Sequence, residues 1–76
     1  MVQRRHKFEV GIYNKEVRAA LALPGRRNTT EFDDAWGDIH WVEVTAFDPT
    51  DAKDKVLRRF PEDRGFVVTD TVDLGP

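Results

Sequence analysis

Apolar and polar residues alternate along three stretches of the chain. In Lys7–Tyr13 and Ile39–Phe47 an apolar row occupies every second position, and β-branched and aromatic side chains are frequent. Since strand side chains alternate between the two faces of a sheet, both stretches predict β-strands. Phe66–Val72 predicts a third strand, and Asp70, which interrupts its apolar face, indicates an edge position. We expect the tail Asp73–Pro76 to be frayed.

Two further stretches have apolar residues at helical spacing. Lys15–Leu23 is rich in helix formers, and Asn14 before it is suited to cap a helix. Asp48 caps the second helix, Pro49 suits its first turn, and Pro61 ends it. The residues predicted to face the core are Val17, Ala20, Leu21, Ala52, Val56, Leu57 and Phe60.

The order of these elements is strand, helix, strand, helix, strand. The tight connection from the second strand through a helix to the third favours parallel strands joined by a right-handed crossover. The first strand then lies between them, antiparallel to both. The sequence therefore predicts one α+β domain over residues 1–76, with a three-stranded mainly antiparallel sheet of order 2-1-3 and both helices on one face. A meander of order 1-2-3 is the alternative.

The two faces of this sheet differ in character. The row predicted to face the helices is Phe8, Val10, Ile12, Val42, Val44, Ala46, Phe66, Val68 and Val72. The opposite face carries Tyr13, Ile39, Trp41, Phe47 and Val67 among Lys7, Glu9, Glu43, Thr45, Thr69 and Thr71. This much apolar area on one face of a small protein indicates an interface, unless the chain itself covers it. Gly11, inside the first strand, marks a bulge or a place where another group packs against the backbone.

The connection 25–38 has no periodic pattern and is long for a small domain. It contains Phe32 and Trp36, for which the sequence allows three positions. Both rings plug the open end of the core, or fold across the sheet and bury Trp41, or stand out as anchors for a partner.

The composition bears on the cellular compartment of the protein and on whether it is secreted or membrane-bound. A chain of 76 residues without cysteine has neither disulfides nor thiolate metal sites, so we expect a reducing compartment, the cytoplasm. Neither a signal-type apolar block nor an apolar run of about 18 residues is present, so we expect neither a cleaved leader nor a membrane span.

The net charge of −2 hides an uneven distribution. Residues 1–30 hold seven Lys/Arg and two Asp/Glu, whereas residues 31–54 hold one and eight, so these segments carry +5 and −7. Residues 55–76 hold four of each. Either each charge is a solvated surface group, or the acidic segment recognises a basic partner as a nucleic-acid mimic.

The sequence gives little support for an active site or a metal site. Asp33, Asp34, Asp38 and His40 form a group of potential ligands, but their spacing corresponds to no zinc or calcium motif. No nucleophile elbow or phosphate-binding glycine loop is present. We therefore predict no enzyme, no catalytic residue, no metal and no cofactor.

Nucleic-acid binding is the alternative function. Tyr13 and Trp41 on an open sheet are suited to stack bases. The cations available for phosphates are Arg4, Arg5, Lys7, Arg26 and Arg27. Against this alternative, Glu9 and Glu43 lie on the same sheet face, and the pI is about 5.6.

In size, lack of cysteine and acidic patchiness the chain resembles small phage-encoded inhibitors, anti-CRISPR proteins among them. That resemblance implies a protein partner. Together with the open face it leads to the prediction of a non-enzymatic protein-binding module, with homodimerisation through the same face as a further option. The residues predicted to contact the partner are Tyr13, Phe32, Asp33, Asp34, Trp36, Asp38, Trp41, Glu43 and Phe47.

Overall fold

The structure is a computed structural model that describes residues 4–25 and 27–76. Three strands and two α-helices follow one another along the chain: β1 (His6–Asn14), α1 (Lys15–Ala22), β2 (His40–Ala46), α2 (Pro49–Arg59) and β3 (Phe66–Gly75). A 3₁₀ helix at Asp34–Gly37, called the loop 3₁₀ helix below, lies in the long connection, and a second one spans Glu62–Arg64. Within these ranges no helix is both long and apolar enough to cross a membrane.

The sheet has the strand order β2-β1-β3, and β1 is antiparallel to both of its neighbours. The predicted α+β class and the order 2-1-3 are therefore confirmed, and the meander is excluded. β1 lies between the other two strands, and Phe8, Val10 and Ile12 form its fully buried row.

The junction between β1 and α1 is made by Asn14, the last residue of the strand and the cap of the helix. Its buried side-chain oxygen accepts hydrogen bonds from the backbone N–H groups of Glu16 (3.0 Å) and Val17 (3.1 Å). Its amide nitrogen donates to the carbonyl of Arg64 at 3.0 Å. One side chain thus starts the helix and ties it to the turn that leads into β3.

Helix α2 begins as predicted. The Asp48 carboxylate accepts from the N–H of Asp51 at 2.7 Å, and Pro49 occupies the first turn. The helix packs on all three strands through its buried face, which includes Ala52 and Val56. Helix α1 instead has its main contacts with the loop 3₁₀ helix, with Val17 as its buried residue.

The core is one layer between the sheet and α2. Its buried residues are Phe8, Val10, Ile12, Ala46, Ala52 and Val56, and the partly buried residues around them are Trp36, Val42, Val44, Phe60 and Val68. The row predicted to face the helices is thus largely confirmed. One prediction is wrong: Leu21 is 43% exposed, because α1 packs at the loop and does not lie flat on the sheet.

A register shift in β3 overturns the predicted faces of its second half. Between Gly11 and Ile12 of β1 the pairing skips Thr69, so one extra residue lies on β3. Because one extra residue inverts the alternation, Thr71 lies opposite buried Val10, and Val72 lies opposite Glu9 on the other face. The predicted positions of Asp70, Thr71 and Val72 were therefore wrong, since Asp70 pairs with Gly11 on the face opposite α2, whereas the bulge at Gly11 is confirmed.

The C-terminal tail is not frayed as predicted. Asp73 pairs with Phe8 and Gly75 with Lys7, so β3 continues to Gly75. The Asp73 carboxylate accepts from the N–H of Gly75 at 2.7 Å and lies 3.0 Å from the His6 ring. The tail lacks the alternation of apolar and polar residues that predicts a strand, and these contacts together with the pairing to β1 hold it in place.

Candidate protein-binding face

The sheet face opposite α2 is called the open face below. The strand pairing places on it Lys7, Glu9, Gly11, Tyr13, Trp41, Glu43, Thr45, Val67, Asp70 and Val72, together with the extra residue Thr69, and Ile39 and Phe47 lie beyond the ends of β2. The exposed fraction is 51% for Trp41, 45% for Ile39, 44% for Val72 and 41% for Phe47. These apolar side chains share one face of the sheet, where Glu43 and Thr45 lie between Trp41 and Phe47 and the central strand β1 lies between Trp41 and Val72.

Trp41 is the centre of this face and lies across the central strand. It pairs with Gly11, and a Cβ atom at Gly11 would meet two atoms of the indole ring at 3.2 Å. The same Cβ would meet Thr69 Oγ1 at 2.6 Å, and this hydroxyl donates to the Gly11 carbonyl at 3.2 Å. The missing side chain of Gly11 therefore leaves room for the far edge of the indole to pack over the backbone of β1, while about half of the Trp41 surface stays exposed.

Carboxylates from all three strands lie around the indole, and Asp70 of β3 is the one that pairs with Gly11. Glu9 and Glu43 are directly opposite each other on β1 and β2. A like-charged cross-strand pair is unfavourable. Lys7 Nζ lies 3.5 Å from Glu43, but both side chains are more than half exposed, so this ion pair is weak and open to exchange. The face therefore offers an aromatic plane next to acidic groups.

Arginines lie over two of the other aromatic residues predicted for this site, Phe47 and Tyr13. The guanidinium of Arg5 lies 5.2 Å from the centroid of the Phe47 ring, and that of Arg18 lies 3.6 Å from the Tyr13 ring. Arg18 also donates to the carbonyl of Gly37 at 2.8 Å, which holds it over the half-buried Tyr13. Tyr13 is thus less accessible than Trp41, and Phe47 lies at the rim.

The loop aromatics are located on the other side of the sheet. Trp36 packs against Phe60 and Phe66 with ring centroids 5.2 and 5.4 Å apart, and Phe32 packs edge-on against Phe66 at 4.9 Å. The loop therefore plugs the end of the core, one of the three positions that the sequence allowed, and leaves Trp41 uncovered. Phe32 and Trp36 do not adjoin the open face.

The acidic residues of the loop are engaged in local structure. Asp33 accepts from the N–H of Ala35 at 3.1 Å and caps the loop 3₁₀ helix, while Asp34 accepts from Asn28 at 2.9 Å. Asp38 closes the same helix through its backbone N–H. The ring of the remaining potential ligand, His40, is 2.8 Å from the Ala35 carbonyl. In residues 4–25 and 27–76 no three His, Asp or Glu side chains are placed to hold a metal ion.

The basic residues of the alternative function belong to two separate segments of the chain. Arg4, Arg5 and Lys7 are at the start of β1, whereas Arg27 is in the connection between α1 and the loop 3₁₀ helix. Arg26 is outside the described residues. The central part of the open face is acidic and does not form a continuous basic track.

A cleft of about 380 Å³ opens where the loop meets the end of α2. It is lined by Phe32, Trp36, Arg59, Phe60, Pro61, Arg64 and Phe66. Arg64 is also paired with Glu31. The lining side chains are mostly rings, which suit packing and not proton transfer.

Most members of the open face were absent from the predicted partner contacts, Glu9 and Val72 among them. Alternation already indicated Glu9, which lies on the same face as Trp41. Val72 had no such signal, because its orientation depends on the bulge.

No family model, no curated protein and no solved structure matches the chain.

Proposed function

We propose that this chain is a non-enzymatic protein-binding module and that its partner contacts the open face at Trp41. The observation that carries the proposal is the placement of the indole: it is half exposed, rests on Gly11 and lies next to Glu43. A large ring whose position is already fixed loses little conformational entropy on binding, which is why tryptophan is frequent among binding hot spots.

The acidic surroundings of Trp41 favour a partner that presents lysine or arginine. A cation over the exposed face of an indole is attracted by the ring, and Glu9 and Glu43 are close enough to interact with the same cation. The resemblance in size and charge to small phage-encoded inhibitors extends the proposal to inhibition of a cytoplasmic partner by occupation of its surface. Nucleic-acid binding is not carried forward, because the acidic centre of the face would repel phosphates.

The experiment compares what three immobilised proteins capture from a lysate of the source cells. We expect wild type and Leu23→Ala to retain the same partner and Trp41→Ala to lose it. Leu23 is the matched control, since it is 54% exposed at the end of α1 and away from the open face.

Trp41→Ala should lower the free energy of unfolding by about 2 kcal/mol, because half of the ring is packed. Urea unfolding checks that the variant still folds under the conditions of capture. Retention of the same partner by folded Trp41→Ala would contradict the proposal, as would equal loss of the partner from Leu23→Ala.

A further inference from the structure

Strand β2 is at the edge of the sheet, and edge strands carry backbone groups that another strand can pair with. β1 is hydrogen-bonded to one edge of β2, and the other edge of β2 has no neighbouring strand in the described sheet. The hydrogen-bond pattern of the described chain identifies which groups of β2 point outwards.

In an antiparallel pair, residues alternate between those that bond to the neighbour and those that point away from it. The backbone N–H of Lys15, directly after β1, donates to the carbonyl of Gly65, directly before β3, at 2.8 Å, and the Thr69 hydroxyl donates to the carbonyl of Gly11, so odd-numbered residues of β1 point towards β3 and even-numbered ones towards β2. Even residues of β1 pair with even residues of β2, for example Phe8 with Val44. The backbone groups of the odd residues of β2 therefore point to the free edge: Trp41, Glu43 and Thr45.

Part of this edge is covered by α2. Lys55 Nζ donates to the carbonyl of Thr45 at 2.8 Å, and the N–H of Phe47 donates to the Asp51 carboxylate at 3.1 Å. These side chains block continued pairing at the C-terminal end of β2. The other edge of the sheet, β3, is interrupted by two register shifts, which hinder regular pairing. The regular accessible edge is therefore limited to Trp41 and Glu43.

We propose that the partner docks as an extended segment that adds a strand to β2 at Trp41 and Glu43, with a lysine or arginine opposite Glu43. This inference rests on the proposed function and specifies the binding mode. Strand addition supplies main-chain hydrogen bonds, and the side chains of the added strand on the open face lie next to Trp41 and Glu43. Specificity follows from these two contacts.

The charge of the edge favours a different chain over a second copy of this one. In the register that pairs all seven residues of β2 with β2 of a second copy, Glu43 is the central residue and lies opposite its own equivalent. Glu9, adjacent to Glu43 on β1, adds a second carboxylate from each copy. Like charges directly opposite each other are unfavourable, whereas a basic residue at this position relieves the repulsion.

Synthetic peptides test this binding mode on the full, isotope-labelled chain by NMR. The probe is a capped seven-residue peptide of alternating valine and threonine with lysine at its centre. Its matched control carries glutamate at the centre, and a third peptide has the lysine sequence with alternate backbone nitrogens methylated, which removes the pairing N–H groups. Chemical shifts give the affinity, and amide exchange shows which groups of β2 become hydrogen-bonded.

We expect the lysine peptide to slow exchange of the Trp41 and Glu43 amides and to bind about fivefold or more tightly than the glutamate peptide. Glu43→Lys should reverse this preference, Glu43→Gln should remove most of it, and N-methylation should abolish binding. No binding of the lysine peptide at millimolar concentration, equal affinity for both peptides, or unchanged exchange of the two amides would overturn the proposal.

These outcomes are separate from the test of the proposed function. A lysine peptide that shifts the Trp41 indole signal without protecting the edge amides refutes strand addition but leaves the open face as a binding surface. Capture that does not depend on Trp41 refutes the proposed function itself.

Discussion

Asn14 is the residue on which most local connections depend. It caps α1 with its side-chain oxygen and holds the Arg64 carbonyl with its side-chain nitrogen, and it is fully buried. Removal of such a side chain leaves N–H groups and a carbonyl without partners, and a buried polar group that lacks a partner is destabilising.

We expect Asn14→Ala to lower the free energy of unfolding by about 2–3 kcal/mol, measured by urea denaturation. Asn14→Ser is the matched control: its hydroxyl can still cap α1 but cannot reach Arg64, so about half of the loss should remain. A change below about 0.5 kcal/mol in the alanine variant would show that the two contacts are not coupled to folding.

Gly11 determines the position of Trp41. Gly11→Ala forces Thr69 Oγ1 and the indole to move, because the new Cβ lies within 2.6 Å of the hydroxyl and 3.2 Å of the ring. We expect a net loss of about 1 kcal/mol in the free energy of unfolding and a shift of the Trp41 indole NMR signal. In a Thr69→Ala background the cost should shrink, since the closest contact is gone. An equal cost in both backgrounds would contradict this packing.

At the scale of elements, side-chain contacts close to the ends of α2 and β3 have a consequence for acid stability. The backbone N–H of Phe47, with a smaller contribution from Lys55, holds the pKa of Asp51 below its ordinary value of 3.8. The backbone N–H of Gly75 and then His6 lower the pKa of Asp73 from the same value. Each carboxylate is thus a stronger acid in the folded chain than in the unfolded one.

Between the folded and unfolded pKa values of these groups, the unfolded chain binds more protons. Their contribution to stability is therefore complete above about pH 3.8 and is lost as the pH falls through the lowered folded values. We expect urea unfolding of Asp51→Asn and Asp73→Asn to show a shallower loss of stability between pH 5 and pH 2 than wild type. An unchanged slope in both variants would show that these carboxylates do not contribute to acid unfolding.

The same scale shows how far the sequence predicts the fold. Strand alternation and the caps Asn14 and Asp48 are local signals, so they were sufficient for the elements and the strand order. The position of Phe32 was left open because it depends on Phe66, which is distant in sequence. The orientation of Val72 was wrong because one inserted residue inverts every later side chain, and alternation alone does not reveal which residue is inserted.

At the scale of the whole molecule, many acidic residues of the negatively charged segment make separate local contacts. Acids of residues 31–54 cap α2 and the loop 3₁₀ helix, and Glu31 is paired with Arg64. Reversal of the loop charges would therefore disturb the fold as well as any binding. The acidic group suited to recognition is the one on the open face, where Glu43 lies beside Trp41.

Part of the open face could be predicted from the sequence, and part of it could not. Trp41 and Glu43 follow from alternation on β2, since both belong to the row that does not face α2. The roles of Gly11 and Thr69 beneath the indole required the pairing between strands. The site is thus assembled from one strand with a clear pattern and two neighbours whose contribution depends on register.

Quenching of Trp41 fluorescence tests the central claim most directly. The chain has two tryptophans, so Trp36→Phe leaves the indole of Trp41 as the sole emitter, and Trp41→Phe is the control that leaves Trp36. We expect acrylamide to quench Trp41 strongly in the free protein, more than Trp36, and to lose access to Trp41 once the captured partner is bound. A Trp41 shielded in the free monomer, or equally quenched with the partner bound, would contradict a binding face centred on this residue.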